Sequence, residues 1–190
     1  MSANRVHSYA ARIVWQGNTG EGTANYAAYG RDYATRIAGK PELAGSADPA
    51  FRGDASRHNP EDLFLAAIAA CHMLFYLALC ARRGVRVVAY EDAAEGVMET
   101  RPDGGGAFTS VVLRPRVTIA VESAPNRAGG TAADLAAELH ATAHSLCFIG
   151  NSCRMPIRVA PVIDRLDEEN GHAGPDDRLG EPARGIGRHG

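Results

Sequence analysis

Four cysteines carry the most reactive side chains of this 190-residue chain: Cys71, Cys80, Cys147 and Cys153. None of them forms a CxxC pair, and their scatter is not that of a disulfide framework. That usage fits a reducing cytoplasm better than secretion. A thiolate is the nucleophile in cysteine chemistry, so a cysteine is reactive only where something favours its ionised form. Cys71 is the first candidate. Ala66, Ala67, Ala69 and Ala70 precede it, and their small side chains let another element come close. In its plainest role a buried cysteine is only a small hydrophobe. Cys147 is the second candidate, placed where a helix should end ahead of FIGNS. Cys80 lies nine residues beyond Cys71 and so on the opposite helical face, and Cys153 falls in a loop; both are read as structural.

A competing set is His140, His144 and Cys147. The spacing i, i+4, i+7 puts all three on one face of a helix, which is acceptable for zinc. No fourth ligand is evident, and half-exposed polar residues are the simpler account of the two histidines. No metal or other cofactor is expected.

The element that must position Cys71 runs from Asn59 to Gly84. Asn59 is suited to cap a helix, Pro60 to its first position, and Glu61 and Asp62 to its positive end. Arg82 and Arg83 fit the last turn and Gly84 a left-handed stop. Between the charged ends the residues are apolar on every face, so this helix must be surrounded. Leu63–Ala81 is about long enough to cross a membrane. Its alanine and cysteine content, with His72 at its middle, points instead to a helix held between protein layers. The net charge of −2 and the lack of a polybasic run give no electrostatic case for nucleic acid or a membrane surface. The first residues lack the apolar region of a secretory signal.

Around that helix the chain reads βββ–α–ββ–α–β, an α+β order with an antiparallel sheet. Tyr9, Ala11, Ile13 and Trp15 alternate as a strand. Thr23–Ile37 reads as a second strand, or as two broken at Gly30, and Gly39–His58 as a long connection. Strands follow from Val85 onward and over Phe108–Val121, the latter interrupted near Pro115. Thr131 should cap a second helix, and Ile157–Ile163 should be a short last strand. Residues 1–163 are taken as one domain and 164–190 as a disordered tail, because that tail is Gly, Pro and charge.

With these residues in view, NPEDLFLAAIAAC resembles the NPE-x-L-x-x-A-x-x-A-x-C helix of the OsmC/Ohr family of thiol peroxidases, and AHSLCFIGNS resembles its second cysteine segment. The resemblance covers roughly Tyr9 to Val162. It implies antiparallel sheets around a long buried central helix and an intertwined homodimer with two sites at its interface. It also implies reduction of organic hydroperoxides without metal or flavin, with Cys71 as the peroxidatic and Cys147 as the resolving thiol. Glu61 would order an arginine beside the thiolate. Arg52 is the first choice for that arginine, with Arg31 and Arg57 open. An external dithiol would reset the enzyme. Two residues depart from the family pattern: Phe148 stands where a proline is usual, and His72 follows the reactive cysteine.

Spacing adds a constraint. Glu61 and Cys71 are ten residues apart on one helix, hence about 15 Å along its axis. If both serve one site, Glu61 must act on the Cys71 of a partner chain or through a long arginine. A non-catalytic protein of the same fold that binds a small apolar ligand is the alternative.

Overall fold

A computed structural model describes residues 4–123 and 129–166. The central helix, α1, spans Pro60–Arg83. The Asp62 N–H donates to the Asn59 side chain at 2.7 Å, and the Asn59 N–H donates to the Asp62 carboxylate at 3.2 Å. This reciprocal box satisfies donors that the helix itself leaves open. At the far end Gly84 takes φ 75°, where a side chain would be strained.

Ile68, His72, Tyr76 and Cys80 recur at every fourth position of α1 and are buried. This stripe faces the rest of the chain. The other side is bare: Leu74 is 63% exposed, and Ala66, Ala67, Ala70 and Ala78 are exposed with it. The expected burial on all faces is therefore met on one side only within a single chain.

Strands β1 (Arg12–Trp15), β2 (Tyr33–Arg36) and β3 (Leu43–Gly45) form an antiparallel meander. The second strand is much shorter than the Thr23–Ile37 read from sequence. Side chains divert the backbone there: Asn25 accepts from the Ala27 N–H, the Thr19 hydroxyl donates to the Ala28 carbonyl, and the Arg31 guanidinium donates to the carbonyls of Tyr26 and Tyr29. Groups engaged in this way do not join a ladder. β3 lies inside the stretch read as a connection; three residues are too few to show an alternation.

After α1 come β4 (Val87–Asp92), β5 (Glu95–Thr100), β6 (Gly106–Leu113) and β7 (Pro115–Ile119). β4 pairs with β7 and β5 with β6, both antiparallel. Pro115 opens β7, a place where its missing N–H costs no ladder bond. α2 (Ala132–Leu146) starts at Thr131 with a second capping box, to Asp134, and a short α3 (Phe148–Asn151) follows.

The last segment then splits at Ala160 and Pro161. β8 (Ile157–Val159) joins β6 and β9 (Val162–Arg165) joins β7, both parallel. The expectation of antiparallel sheets thus holds for the meander and the two central pairs, while two of the three sheets are mixed. A parallel neighbour needs a long crossover, and α2 with α3 supplies it. β9 also carries order through Asp164 and Arg165, past the domain end expected at 163, since Leu166 donates its N–H to the Ile119 carbonyl at 2.9 Å. The rest of the expected tail lies outside the described residues.

The main core sets Leu135, Ala136, Leu139 and Ala143 of α2 against Tyr76 and Cys80 of α1 and Val117 and Ile119 of β7. A smaller cluster joins Ile68 to Val111 and Leu113 of β6.

Candidate active site

Cys147 ends α2 and opens α3, which places its side chain at the junction of the two. Its N–H donates to the His144 carbonyl at 3.3 Å, and its sulfur accepts from the Gly150 N–H at 3.3 Å. A Cβ on Gly150 would stand 3.3 Å from that sulfur, so glycine leaves it room. Cys147 is 2% exposed and Cys71 is half-buried; both are free thiols. The two thiols are neighbours, close enough for Cys71 to act on the ionisation of Cys147, and no hydrogen bond joins them among the described residues. Helix α1 passing the end of α2 is what brings them together.

Burial pushes the Cys147 thiol up to about 11. The Gly150 N–H opposes this, and the neighbouring Cys71 thiol reinforces it. The two sulfurs are therefore unequal: Cys147 is deep and holds its proton, while Cys71 is more open.

The other cysteines take no part. Cys80 is buried beside Tyr76, and the Cys153 thiol donates to the Ile149 carbonyl at 3.2 Å. The helical face of His140, His144 and Cys147 does not act as a unit either. His140 is 2% exposed, not half-exposed as its sequence suggested, because it turns inward to meet His72. Among the described residues no three His, Cys, Asp or Glu side chains converge as a metal-binding group.

The arginines and Glu61 sit elsewhere. Arg31 lies over the rings of Tyr26 and Tyr29, 4.4 and 4.1 Å from their centroids. Arg52 is in the left-handed region at φ 67°, with its guanidinium 5.9 Å from the Tyr26 ring. Arg57 bridges Asp54 at 3.3 Å and Asp32 at 3.5 Å. Glu61 stands in the first turn of α1 near Tyr33; burial raises that phenol first, and the charges of Glu61 and Asp62 add to it. Among the described residues no contact joins Glu61 or any of these arginines to either sulfur of the same chain.

Two grooves run along α1. One of about 200 Å³ is lined by Leu74, Phe75, Leu79 and Leu146, with Arg82 at its rim. The other, of about 490 Å³, lies between α1 and β4 and includes Met73, so Met73 is turned away from Leu74 and Phe75. Two contacts had no anticipation in the sequence reading: the His72–His140 pair and the packing of Phe148 on Phe75. The available signal for the first was His72 and Tyr76 at i, i+4 in an otherwise apolar helix.

A cysteine on a long central helix, met by a second at the end of a crossover helix and framed by small sheets, defines the OsmC architecture. The family model described as OsmC-like protein matches residues 53–161, and the chain belongs to that family. An OsmC-like protein of unknown function from Vibrio cholerae is 27% identical, with a TM-score of 0.72 over 83% of this chain and 100% of that one. An organic hydroperoxide resistance protein, OsmC, from Legionella pneumophila is 18% identical, with a TM-score of 0.59 over 85% and 99%. An organic hydroperoxide resistance protein from Elizabethkingia anophelis is 17% identical, with a TM-score of 0.59 over 86% and 100%. At those last two identities the likeness is one of fold. Comparison with curated proteins gave no match.

Proposed function

We propose that the protein is a cysteine-based peroxidase that reduces organic hydroperoxides. The observation that carries this is that Cys71 and Cys147, both free thiols, are neighbours where α1 passes the junction of α2 and α3. The Cys71 thiolate attacks the distal peroxide oxygen; the O–O bond breaks, the alcohol leaves with a proton, and Cys71 becomes a sulfenic acid. Cys147 then attacks the Cys71 sulfur, water leaves, and a Cys71–Cys147 disulfide forms. An external dithiol is oxidised as it returns both cysteines to thiols by exchange.

A free thiol near pKa 8.5 is mostly protonated at neutral pH, so Cys71 needs a cation beside it. Among the described residues of one chain no arginine reaches it, while α1 leaves an apolar face uncovered. The reading is therefore a cytoplasmic homodimer in which a second copy covers α1 and brings Arg52, ordered by Glu61, to Cys71. Arg31 and Arg57 are the other candidates; Arg57 is already held by two carboxylates.

The alternative is a non-catalytic binder of a small apolar ligand. It draws on the groove of about 490 Å³, whose lining includes Leu65, Ala69 and Met73 and neither sulfur. One experiment separates the two. The reduced protein is treated with one equivalent of an alkyl hydroperoxide and its cysteines are mapped by mass spectrometry. The peroxidase gives a Cys71–Cys147 disulfide; thiols that stay unchanged leave the binder.

A further inference from the structure

His72 follows Cys71 on α1, and His140 lies seven residues before Cys147 on α2. Neither has a task in the thiol chemistry. Their exposures are 0% and 2%. His72 Nε2 and His140 Nδ1 are 3.0 Å apart. The ring planes differ by 10° and the centroids stand 5.3 Å apart, as when two imidazoles meet nitrogen to nitrogen in a shared plane. Tyr76, one turn beyond His72, lies against the face of His140, with centroids 3.8 Å apart and planes 12° apart. One helix thus grips a single side chain of the other by its edge and by its face.

We propose that the His72–His140 hydrogen bond is a positioning device that fixes how far α2 has slid along α1 and so holds Cys147 against Cys71. It rests on reading the two cysteines as a redox pair, not on which oxidant they meet.

The rest of this seam is Leu135, Ala136, Leu139 and Ala143. Contacts of that kind are non-directional, and apolar cores lose uniqueness before they lose stability. A hydrogen bond between ring nitrogens tolerates only a few tenths of an ångström. Sliding α2 by one residue, about 1.5 Å, would break it and carry Cys147 the same distance. Breaking it would also strand two more buried nitrogens beside His72 Nδ1 and His140 Nε2, which already lack partners among the described residues. A disulfide has little tolerance for such a shift, since its Cβ atoms must lie about 3.5–4.5 Å apart. Burial holds both imidazoles neutral, with His72 lowered to about 4 and His140 to about 3. At neutral pH one ring therefore donates and the other accepts.

The test is a glutathione redox titration of the full chain, reading the Cys71–Cys147 disulfide directly. H72L and H140L should each lower its equilibrium constant about tenfold, equivalent to about 30 mV. The double variant should lose no more than either single one. H140N, whose amide occupies the place of Nδ1, should restore most of the loss. Leucine variants that fold and keep the wild-type constant would overturn the proposal, as would an H140N variant no better than H140L. Should the leucine variants fail to fold, nitrogen-15 NMR of the wild type decides: a His72–His140 bond present in both redox states supports it, and one absent in either removes it. A disulfide that forms in glutathione but not with hydroperoxide would remove the peroxidase reading and leave this one standing.

Discussion

The ring of Phe148, the residue after Cys147, meets that of Phe75 edge-on, with centroids 4.8 Å apart and planes at 89°. Phe75 is one turn beyond Cys71, so this pair ties the two cysteine-bearing segments together beside their sulfurs. Replacing Phe148 with proline should leave α3 intact, because proline suits a first helical position. The lost aromatic contact should cost about 0.5–1.5 kcal/mol in urea unfolding. The more open approach should raise the ratio of Cys71 oxidation rates for a bulky hydroperoxide over a small one. A ratio that stays put would show that the ring does not screen the thiol.

Cys147→Ser should still complete one reduction and then stall with Cys71 as a sulfenic acid. A diketone probe should label Cys71 in that variant and not in the wild type, and turnover with a dithiol should fall by about two orders of magnitude. In the wild type, burial keeps the Cys147 proton on until about pH 11. Disulfide closure should then speed up as pH rises, by roughly tenfold per unit below that value, since the thiolate attacks. Stopped-flow measurement of the closure step across neutral to alkaline pH checks the slope.

Acid should loosen the fold. His72 is lowered by burial first and then by His144, and His140 by burial first and then by His72. His72 faces His140 and His144 from α2, while Tyr76 of its own helix and Tyr90 of β4 flank the cluster. Unfolding lets both imidazoles charge at the ordinary 6.5, so the unfolded state binds more protons below that pH. Their contribution is complete above about 6.5 and drains away as pH falls through about 4 to about 3. Urea midpoints measured across that window should drop steeply, and H72L/H140L should flatten the curve. An unchanged slope in the double variant would place the acid sensitivity elsewhere.

Leu74→Glu tests the bare side of α1. At 63% exposure a carboxylate costs the isolated chain little. Inside a homodimer seam it would be a buried unpaired charge. Sedimentation should show the wild type as a dimer and the variant shifted to monomer, with the Cys71 oxidation rate falling alongside. A wild type that sediments as a monomer would exclude the interface.

Much of the central helix was readable because its signals are local: Asn59, Pro60, Asp62 and Gly84 do in the structure what their types suggest. The proposed pairing of Cys71 with Cys147 came only from two motifs taken together, since nothing in their spacing points to it. What stayed hidden depends on distant partners. His140 looks polar and half-exposed in its own helix, and its burial is decided by His72, 68 residues away. The strand expected over Thr23–Ile37 failed because Thr19, Asn25 and Arg31 recruit its backbone groups, and a helical or strand period carries no trace of that. The parallel docking of β8 and β9 follows from where the crossover delivers the chain, which local alternation does not record.

That docking has a consequence for how the protein is made. β8 and β9 stitch onto strands already complete, and the stretch holding Cys147 lies between those strands and their late-arriving neighbours. On a translating ribosome the reactive helix emerges long before the final strands that frame its partner thiol. In the proposed mechanism Cys71 has until then no resolving thiol beside it, and an oxidant met at that moment can carry it past the reversible stage. Newly synthesised chains should therefore be more vulnerable to the very peroxides that the finished protein is proposed to remove.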